Sequence, residues 1–461
     1  MNTRKLRGLK IVPGLLLLLI LILGPGVIRS QAESSVTSTN LPGWLTKPMS
    51  LADAMNVTLQ NNRTIRKSQR DLEIAEGISL QTRAVAIPKV QSSGKYTDTD
   101  KHAVEAFFGQ PIDNRNWNAN IQIVQSIYEG GRIVSSFRAA KLTKEQAFLQ
   151  HQTVVADTLV ATRVAYYDVL LAAQEILVRD ASVNLLTKEL DEQQRRYDAG
   201  TVPRFNVLRA EVAVANARPA LIRANNAHRI AKNNLAQLLG YDLPKDVWEN
   251  IPLTLTDTLN VSPFTVQLPE AIALALERRT ELGALRKAEQ LRKEDIISAK
   301  SGRLPSVQAF AGWGWRDSAL TTDLGDDVDG WQVGAQVNWY IFDGLATRGR
   351  IGQAKAAHEK SRVELDDAGS KVELEVRTAY SVLIGAKEVL DSQKKVQEQA
   401  EETLRLAKSR ADAGSGTQLD VLSAETELTQ ARTTQVQAEY AYAVAVAKLE
   451  RAIGVAPVTP K

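Results

Sequence analysis

The feature that most constrains this chain is an internal repeat with a very long period. Residues Asp198–Gly200 recur as Asp412–Gly414, 214 positions later, and upstream the offset becomes 217, as between Pro88 and Pro305. Solenoid repeats have periods of about 20 to 50 residues, so this longer period indicates two similar structural halves. The halves are predicted at residues 33–240 and 268–461, with a linker over 241–267.

The first 32 residues have the layout of an export signal that is cleaved off. Basic residues precede the apolar run Leu15–Leu23, and a small-residue cleavage site follows at Ser30–Ala32. The run is shorter than the roughly 20 residues that a membrane-spanning helix needs. Lipid anchoring is not expected, because the chain has no cysteine. We therefore predict a signal peptide over residues 1–32, with a retained anchor as the alternative.

The charge balance and the residue types exclude several classes of function. Without residues 1–32 the chain has 52 Lys/Arg and 53 Asp/Glu, so it lacks the basic stripe of a nucleic-acid interface. The absence of cysteine excludes thiolate chemistry. The histidines are scattered without metal-ligand spacing; they are His102, His151, His228 and His358. We expect no nucleic-acid partner, no metal, no cofactor and no catalytic residue, so the chain is not predicted to be an enzyme.

Each half shows the same order of predicted elements. A helical segment, residues 51–86 or 268–301, ends before Pro88 or Pro305, because proline cannot continue a helix. Two strands, a long helix, a tip turn and a return helix follow. In the first half these are strands at about 89–104 and 116–128, a helix at 131–196, a tip at 197–205 and a return helix at 206–240. In the second half they are strands at about 305–316 and 330–342, a helix at 345–410, a tip at 411–418 and a return helix at 419–454.

The strands alternate apolar and polar residues, which is typical of a sheet with one apolar face. From Trp331 to Ile341 the odd positions are apolar, and Gln332, Gln336 and Asn338 alternate with them. In a membrane barrel the apolar face meets lipid and aromatic residues lie at the head-group levels; a soluble sandwich is the alternative. The candidate lipid-facing and aromatic-girdle residues are Trp117, Ile121, Trp313, Trp331, Val337 and Trp339.

The long helices and the small number of strands together indicate an oligomer. About 65 residues without proline make a rod of roughly 100 Å, and Ala400, Leu404, Ala407 and Ala411 have coiled-coil spacing. Four strands from one chain cannot close a barrel, and an open edge in hydrocarbon leaves backbone groups unpaired. Symmetric copies are the usual solution, and three of them supply twelve strands.

This order of elements, together with Tyr197–Gly200 and Gly414–Glu425, resembles the TolC-like outer-membrane efflux family over essentially the whole mature chain. The resemblance implies a mostly α fold with membrane β-hairpins. Four strands per chain would contribute to a trimeric 12-stranded β-barrel, which a long periplasmic α-helical barrel continues. It also implies a homotrimer in the outer membrane of a Gram-negative type cell, with a large periplasmic portion. The implied partners are a periplasmic adaptor (membrane fusion protein) and an inner-membrane transporter of RND, ABC or MFS type.

The resemblance also assigns candidate site residues to the two tips. Asp420 matches an acidic residue that points into the closing pore, so three copies form a carboxylate ring; the alternative is a simple helix cap. The chain departs from the family at Ser423, Ala411 and Gly416, where an acid, a tyrosine and an arginine often occur. The gate candidates are Asp420 and Ser423, and the tip or adaptor candidates are Arg195, Arg196, Tyr197, Gly200, Asp412 and Gly414.

The function expected from these features is passive conduction. The chain is predicted to be the outer-membrane channel subunit of a tripartite export system that carries solutes from the periplasm to the exterior. A type I protein secretion duct is the alternative within transport. A coiled-coil adhesin or adaptor without a pore is the alternative in another class. The repeated rods have no pocket signature, so the sequence does not predict the cargo.

Overall fold

A computed structural model describes residues 42–100, 115–242, 251–259, 264–317 and 327–455. The predicted signal peptide and His102 lie outside these residues. Residues 42–45 belong to a short unit of their own, in which the Leu45 N–H donates to the Pro42 carbonyl at 2.8 Å. The chain from Thr46 onward is a second unit.

Within the described ranges, the second unit has eight α-helices and four β-strands. The first half contains α1 (Leu51–Asn61), α2 (Arg63–Arg83), β1 (Lys89–Asp98), β2 (Arg115–Glu129), α3 (Arg132–Asp198) and α4 (Arg204–Leu238). The second half contains α5 (Leu268–Arg278), α6 (Thr280–Lys300), β3 (Ser306–Asp317), β4 (Asp327–Asn338), α7 (Ala346–Asp412) and α8 (Gln418–Ile453). The order of elements is therefore the same in both halves.

The two halves are duplicated down to single backbone positions. The long helices α3 and α7 each have 67 residues and begin 214 positions apart. The glycines that end the return helices, Gly240 and Gly454, both have positive φ, at 85° and 76°. A Cβ on Gly240 would lie 2.5 Å from the Asn61 carbonyl oxygen, so the α1 end and the α4 end approach too closely for any other residue there.

The opening segment of each half is helical, as predicted, but it is broken into two helices, and the sequence did not predict the break. Asn62 and Arg279 have extended backbones, with ψ of 129° and 121°. Asn62 donates from Nδ2 to the Leu238 carbonyl at 2.7 Å, and Arg279 donates from Nη1 to the Ala452 carbonyl at 3.3 Å. Those two carbonyls are 214 positions apart, so they occupy equivalent positions near the ends of the two return helices. Each break is therefore hydrogen-bonded to the return helix of its own half.

The four strands form one antiparallel sheet in the order β1-β2-β3-β4. Strand β4 ends at Asn338 and not at the predicted 342, because Asn338 pairs with Ser306, and Pro305 before it has no N–H for another rung. Strand β1 ends at Asp98 and not at 104; residues 101–104 lie outside the described part. A register shift between Ser126 and Tyr128 marks a bulge in β2.

The long helices pack side by side in the order α4, α3, α8, α7. Near the middle of the long helix α7, a cluster that includes Leu282, Val376 and Leu449 joins α6, α7 and α8. Near the tips, a smaller cluster around Leu404 and Val421 joins α7 and α8. Small residues on α8 let its neighbours approach closely. None of the helices in the described residues has the length and apolar character of a membrane span.

The segment between the halves has no helix in its described part and lies beside the start of the second unit. Leu255 forms a parallel bridge with Met49, and the Met49 N–H donates to the Thr254 carbonyl at 2.9 Å. Tyr166, which is fully buried on α3, donates its hydroxyl to the Met49 carbonyl at 3.0 Å. These bonds attach the linker to the middle of the first long helix.

Candidate functional site

The sheet has one apolar and one polar face, as its register shows. Trp313 on β3 pairs with Ile121 on β2 and with Trp331 on β4, so these three side chains form a lateral row on one face. Trp117 and Val337 have the same strand parity and share that face. The row is accessible in the single chain, where Trp331 is 74 % exposed. An apolar face this exposed needs lipid or another surface to cover it.

Aromatic residues mark both ends of this apolar face. Trp331 lies near one end of β4 and Trp339 directly after the other, eight positions later. At about 3.3 Å per residue the separation along the strand is roughly 26 Å, and a strand tilt of about 40° reduces it to about 20 Å across the membrane, which fits inside the apolar band of a membrane barrel. Trp339 was predicted within a strand, but it follows the strand and donates from Nε1 to the Arg303 carbonyl at 3.1 Å. Its assignment to an aromatic girdle stays a prediction.

The opposite face is polar. Ser93 on β1 donates its hydroxyl to Asn120 Oδ1 on β2 at 2.9 Å, and Gln336 donates to Asn338 Oδ1 at 3.2 Å. Amide side chains of this kind line water and not hydrocarbon, because each carries donors and acceptors that need partners. The sheet is therefore built to separate an apolar phase from an aqueous one.

Gly312 lies where β3 comes closest to β2, which leads to a test of sheet packing. A Cβ on Gly312 would lie 2.6 Å from the Ile121 carbonyl oxygen, whereas one on Gly314 would meet nothing nearer than 3.8 Å. Gly312→Ala is therefore expected to cost about 1 to 3 kcal/mol through overpacking, and Gly314→Ala much less. The measurement is the thermal stability of the purified oligomer for each variant. Equal stability of the two variants would contradict this packing.

Both edges of the sheet and both sides of the helix layer are uncovered in the described chain. Strands β1 and β4 each pair on one side only. The outer helices α4 and α7 expose apolar side chains, which an oligomer interface would bury. Those on α4 include Leu208, Val212, Ile222 and Ile230, and those on α7 include Val363, Leu374, Val382, Val389 and Val396.

Each hairpin turns at a glycine with left-handed backbone. Gly200 (φ 72°) and Gly414 (φ 74°) follow α3 and α7, and their N–H groups donate to the carbonyls of Tyr197 at 2.8 Å and Ala411 at 3.1 Å. These bonds close the last turn of each helix. The first tip therefore comprises residues 199–203 and the second tip residues 413–417, between the helices that flank them.

Arg196 connects the two tips. It donates from Nε to Glu192 Oε1 at 2.8 Å and from Nη2 to Asp412 Oδ1 at 3.5 Å. The hydrogen bond that Arg196 donates to Glu192 is the main cause that raises the pKa of Arg196. Arg195 pairs with Glu192 as well, at 2.8 Å, while Tyr197 is exposed. The sequence assigned Arg196 and Asp412 to different tips and did not predict that they meet.

Asp420 lies in the first turn of α8 and takes part in a capping box. Its Oδ2 accepts from the Thr417 N–H and from the Thr417 hydroxyl, both at 2.8 Å. These bonds, the backbone one first, hold the pKa of Asp420 below its usual value. Ser423 is exposed on the same side of the helix, three positions on. The helix-cap alternative is therefore present, and both bonds use one oxygen of an exposed, ionised carboxylate.

Sequence reasoning missed two groups of buried charges. Glu425 lies on α8 four positions after Val421, and this spacing places it on the buried face of the helix. The second group surrounds Arg279, whose side chain is only 6 % exposed. The spacing of apolar residues on α8 could have predicted that Glu425 is buried. No local signal exists for Arg279, because its partners come from distant parts of the chain.

A sheet that separates lipid from water, open at both edges and joined to two long helical hairpins, defines the subunit of an oligomeric membrane channel. The model of the family described as outer membrane efflux protein matches residues 54–241 and 271–455. The two matched segments correspond to the two halves. The chain belongs to the outer membrane efflux protein family, and it is an outer-membrane protein.

Proteins with similar sequences and structures support the family membership. Outer membrane protein TolC of Escherichia coli is 23 % identical over 86 % of this chain and 80 % of its own length. Alkaline protease secretion protein AprF of Pseudomonas aeruginosa is 23 % identical over 88 % and 85 %. The crystal structure of the CmeC outer membrane channel of Campylobacter jejuni has a TM-score of 0.77 at 16 % identity, covering 88 % of this chain and 86 % of that one. The mostly α, duplicated fold with four strands per chain is therefore shared.

Proposed function

We propose that this chain is the outer-membrane channel subunit of a tripartite export system. As a homotrimer it passively conducts solutes from the periplasm to the exterior, with a periplasmic adaptor and an inner-membrane transporter at its helical end. The observation that supports this best is the sheet with an apolar face, a polar face and two open edges. Three copies give twelve strands, so that every edge is paired and the polar faces surround water.

The helical hairpins support the same assembly. Because α4 and α7 expose apolar side chains on opposite sides of the helix layer, α4 of one copy can cover α7 of the next. Three copies then close a ring of twelve helices. A coiled-coil adhesin or adaptor without a pore would account for the helices but would leave the amphipathic sheet without a role.

Protein secretion is the second candidate for the cargo. AprF, which is named for alkaline protease secretion, matches most of this chain, and a water-filled duct of this construction suits either small solutes or unfolded polypeptides. The inner-membrane transporter, of RND, ABC or MFS type, selects the cargo in such a system. We therefore assign export as the function and leave the class of cargo to the transporter that this subunit serves.

We further propose that Asp420 forms a carboxylate ring at the periplasmic end of the pore, beside Ser423. Its exposed carboxylate is ionised at neutral pH, because the ordinary pKa of an aspartate is 3.8 and the hydrogen bonds from Thr417 lower that pKa further. Three such groups around one axis attract cations and exclude anions. Arg195, Arg196, Tyr197, Gly200, Asp412 and Gly414 shape the surface around this ring, where an adaptor would bind.

Planar-bilayer recording tests both proposals with one preparation. The wild-type protein is expected to conduct ions with a preference for cations. Asp420→Asn keeps an acceptor for the helix cap but removes the charge. Its preference for cations over anions is expected to weaken. The affinity of multivalent cations that block the channel is expected to fall about tenfold, which is about 1.4 kcal/mol. Asp391→Asn, an exposed carboxylate on α7 far from the tips, is the matched control.

The outcomes separate the duct from the ring. A wild-type protein that inserts but passes no current would contradict the proposed function. Channels that conduct normally, with the same cation preference in wild type, Asp420→Asn and Asp391→Asn, would contradict the ring alone. If both variants have a smaller cation preference than the wild type, that preference comes from the general surface charge, which would also contradict the ring.

A further inference from the structure

Glu425 is a buried carboxylate where α3, α7 and α8 meet, just above the second tip. The residue is 3 % exposed, and within the described chain its Oε2 has no hydrogen-bond partner, while Oε1 has only the Lys408 ammonium group beside it. Most buried polar groups have such a partner, and a buried acceptor without one is costly. Val421, Ala424 and Leu428 on the same helix belong to the apolar cluster beside it. The carboxylate therefore has fewer donors than its two oxygens could accept.

The charges that face Glu425 do not balance. Lys408 on α7 places Nζ 3.2 Å from Oε1 as an ion pair. Glu189 on α3 faces Glu425 with like charge, and its Oε1 already accepts from Gln193 Nε2 at 2.8 Å. The neighbouring cleft, of about 600 Å³, adds Glu192 and Arg196 of α3, Arg209 of α4 and Asp412 of α7. Glu192 and Arg196 pair with each other, and Lys408 is the cation that pairs with Glu425.

Glu189 is the fourth member of a regular polar row that joins the two helical hairpins. Four polar residues of α3 recur at a spacing of seven towards α8, and the first three hydrogen-bond to partners there. These pairs are Asp168 with Tyr440 at 2.6 Å, Glu175 with Gln437 at 3.0 Å and Ser182 with Thr429 at 3.2 Å. In the fourth position Glu189 faces Glu425 with like charge, and an ionised carboxylate is an acceptor and not a donor. No hydrogen bond can join these two carboxyl groups directly unless one of them carries a proton.

We propose that Glu425 is a proton-linked positioning residue for the periplasmic tip. Protonated, it holds α8 against α3 and keeps the second tip close to the first. Ionised, it repels Glu189 and loosens that joint, so the tip opens more often. This inference rests on the proposed channel function and adds a control of opening by pH.

The direction of the pH effect follows from the surroundings of the carboxyl group. Burial raises the pKa of Glu425, Lys408 opposes the shift and Glu189 adds to it. The proton therefore stays on to a higher pH than on an exposed glutamate. Below the ordinary pKa of 4.5 the group is neutral in any state. As the pH rises through the raised pKa, the charge appears and the joint weakens.

Single-channel recording from about pH 5 to about pH 8 tests this inference, since each unit of pKa is a tenfold change in the protonated fraction. The wild type is expected to open about tenfold more of the time at the higher pH. Glu425→Gln cannot ionise, so it should keep the low value throughout. Glu211→Gln, at the equivalent position of the first half and exposed on α4, should behave like the wild type.

The possible results separate this inference from the proposed function. Conducting wild-type channels whose opening does not change with pH overturn the inference and leave the duct intact, whereas absent channels overturn the proposed function instead. A pH response that Glu425→Gln retains also overturns the inference. If Glu425→Gln does not assemble, Lys408→Met replaces it. Loss of the ammonium group should raise, by about one pH unit, the pH at which the change in channel opening is half complete. If that pH is unchanged, the inference is overturned.

Discussion

Glu281→Gln is expected to destabilise the protein by about 3 kcal/mol at neutral pH, because it removes one carboxylate from two buried guanidinium groups. Glu281 Oε1 accepts from Arg279 Nη2 at 2.8 Å and from Arg451 Nη2 at 2.7 Å. The estimate is at the lower end of the range for a broken buried pair, because each arginine keeps another carboxylate: Glu375 for Arg279 and Asp157 for Arg451.

This network of ion pairs joins the second half of the chain to the first half. Glu281 comes from α6, Arg451 from the end of α8 and Asp157 from α3 of the other half. Burial opposes the charge on Glu281, but hydrogen bonds from Arg279 and Arg451 outweigh burial and lower its pKa from 4.5 to about 2. The network therefore favours the ionised carboxylate and fixes both hairpins beside the linker.

Thermal unfolding in detergent, followed by circular dichroism, measures the effect. Glu277→Gln, an exposed glutamate near the end of α5 and before the break at Arg279, should unfold like the wild type. Because the folded pKa of Glu281 is depressed to about 2, its stabilisation is present above about pH 4.5 and is lost as the pH falls through about 2. The difference between wild type and Glu281→Gln should shrink over that window. A difference that is independent of pH would contradict the ionic origin.

The elements that the sequence predicted well are those with a long, regular pattern. Some 65 residues without proline, ended by Asp198–Gly200 or Asp412–Gly414, define each long helix, because glycine permits the left-handed turn at its end. The alternation around Trp331 defines the apolar face in the same direct way. Such signals are local, so a single chain carries them without its neighbours.

The errors have physical causes that are not local. The break at Arg279 depends on a carbonyl of α8, and arginine is a good helix former, so no local signal marks the break. The end of β4 depends on where its partner β3 begins after Pro305. The contact of Arg196 with Asp412 depends on how two hairpins lie side by side. The Asp420 ring is not among the errors and stays a prediction, because it depends on three chains and the single chain shows only the cap.

The face of the sheet that meets lipid decides which substitutions the membrane tolerates. Ala335 lies midway between Trp331 and Trp339 on the apolar face, and Gln336 follows it on the polar face. Lysine at the centre of the lipid face of a barrel costs about 2 to 4 kcal/mol and less towards the interfaces. The closer a position lies to the centre, the larger its cost, so Val337 is expected to be affected less than Ala335.

Ala335→Lys is therefore expected to cost about 2 to 4 kcal/mol in each copy, and a trimer carries that cost three times. Gln336→Lys, one residue away, places the same charge towards water and should insert almost normally. The amount of heat-modifiable oligomer in the outer membrane, followed by urea unfolding in liposomes, measures both. If Gln336→Lys blocks insertion and Ala335→Lys does not, the apolar face points inward and no aqueous lumen exists. Equal insertion of both variants would mean that neither face meets lipid, which would also contradict the channel.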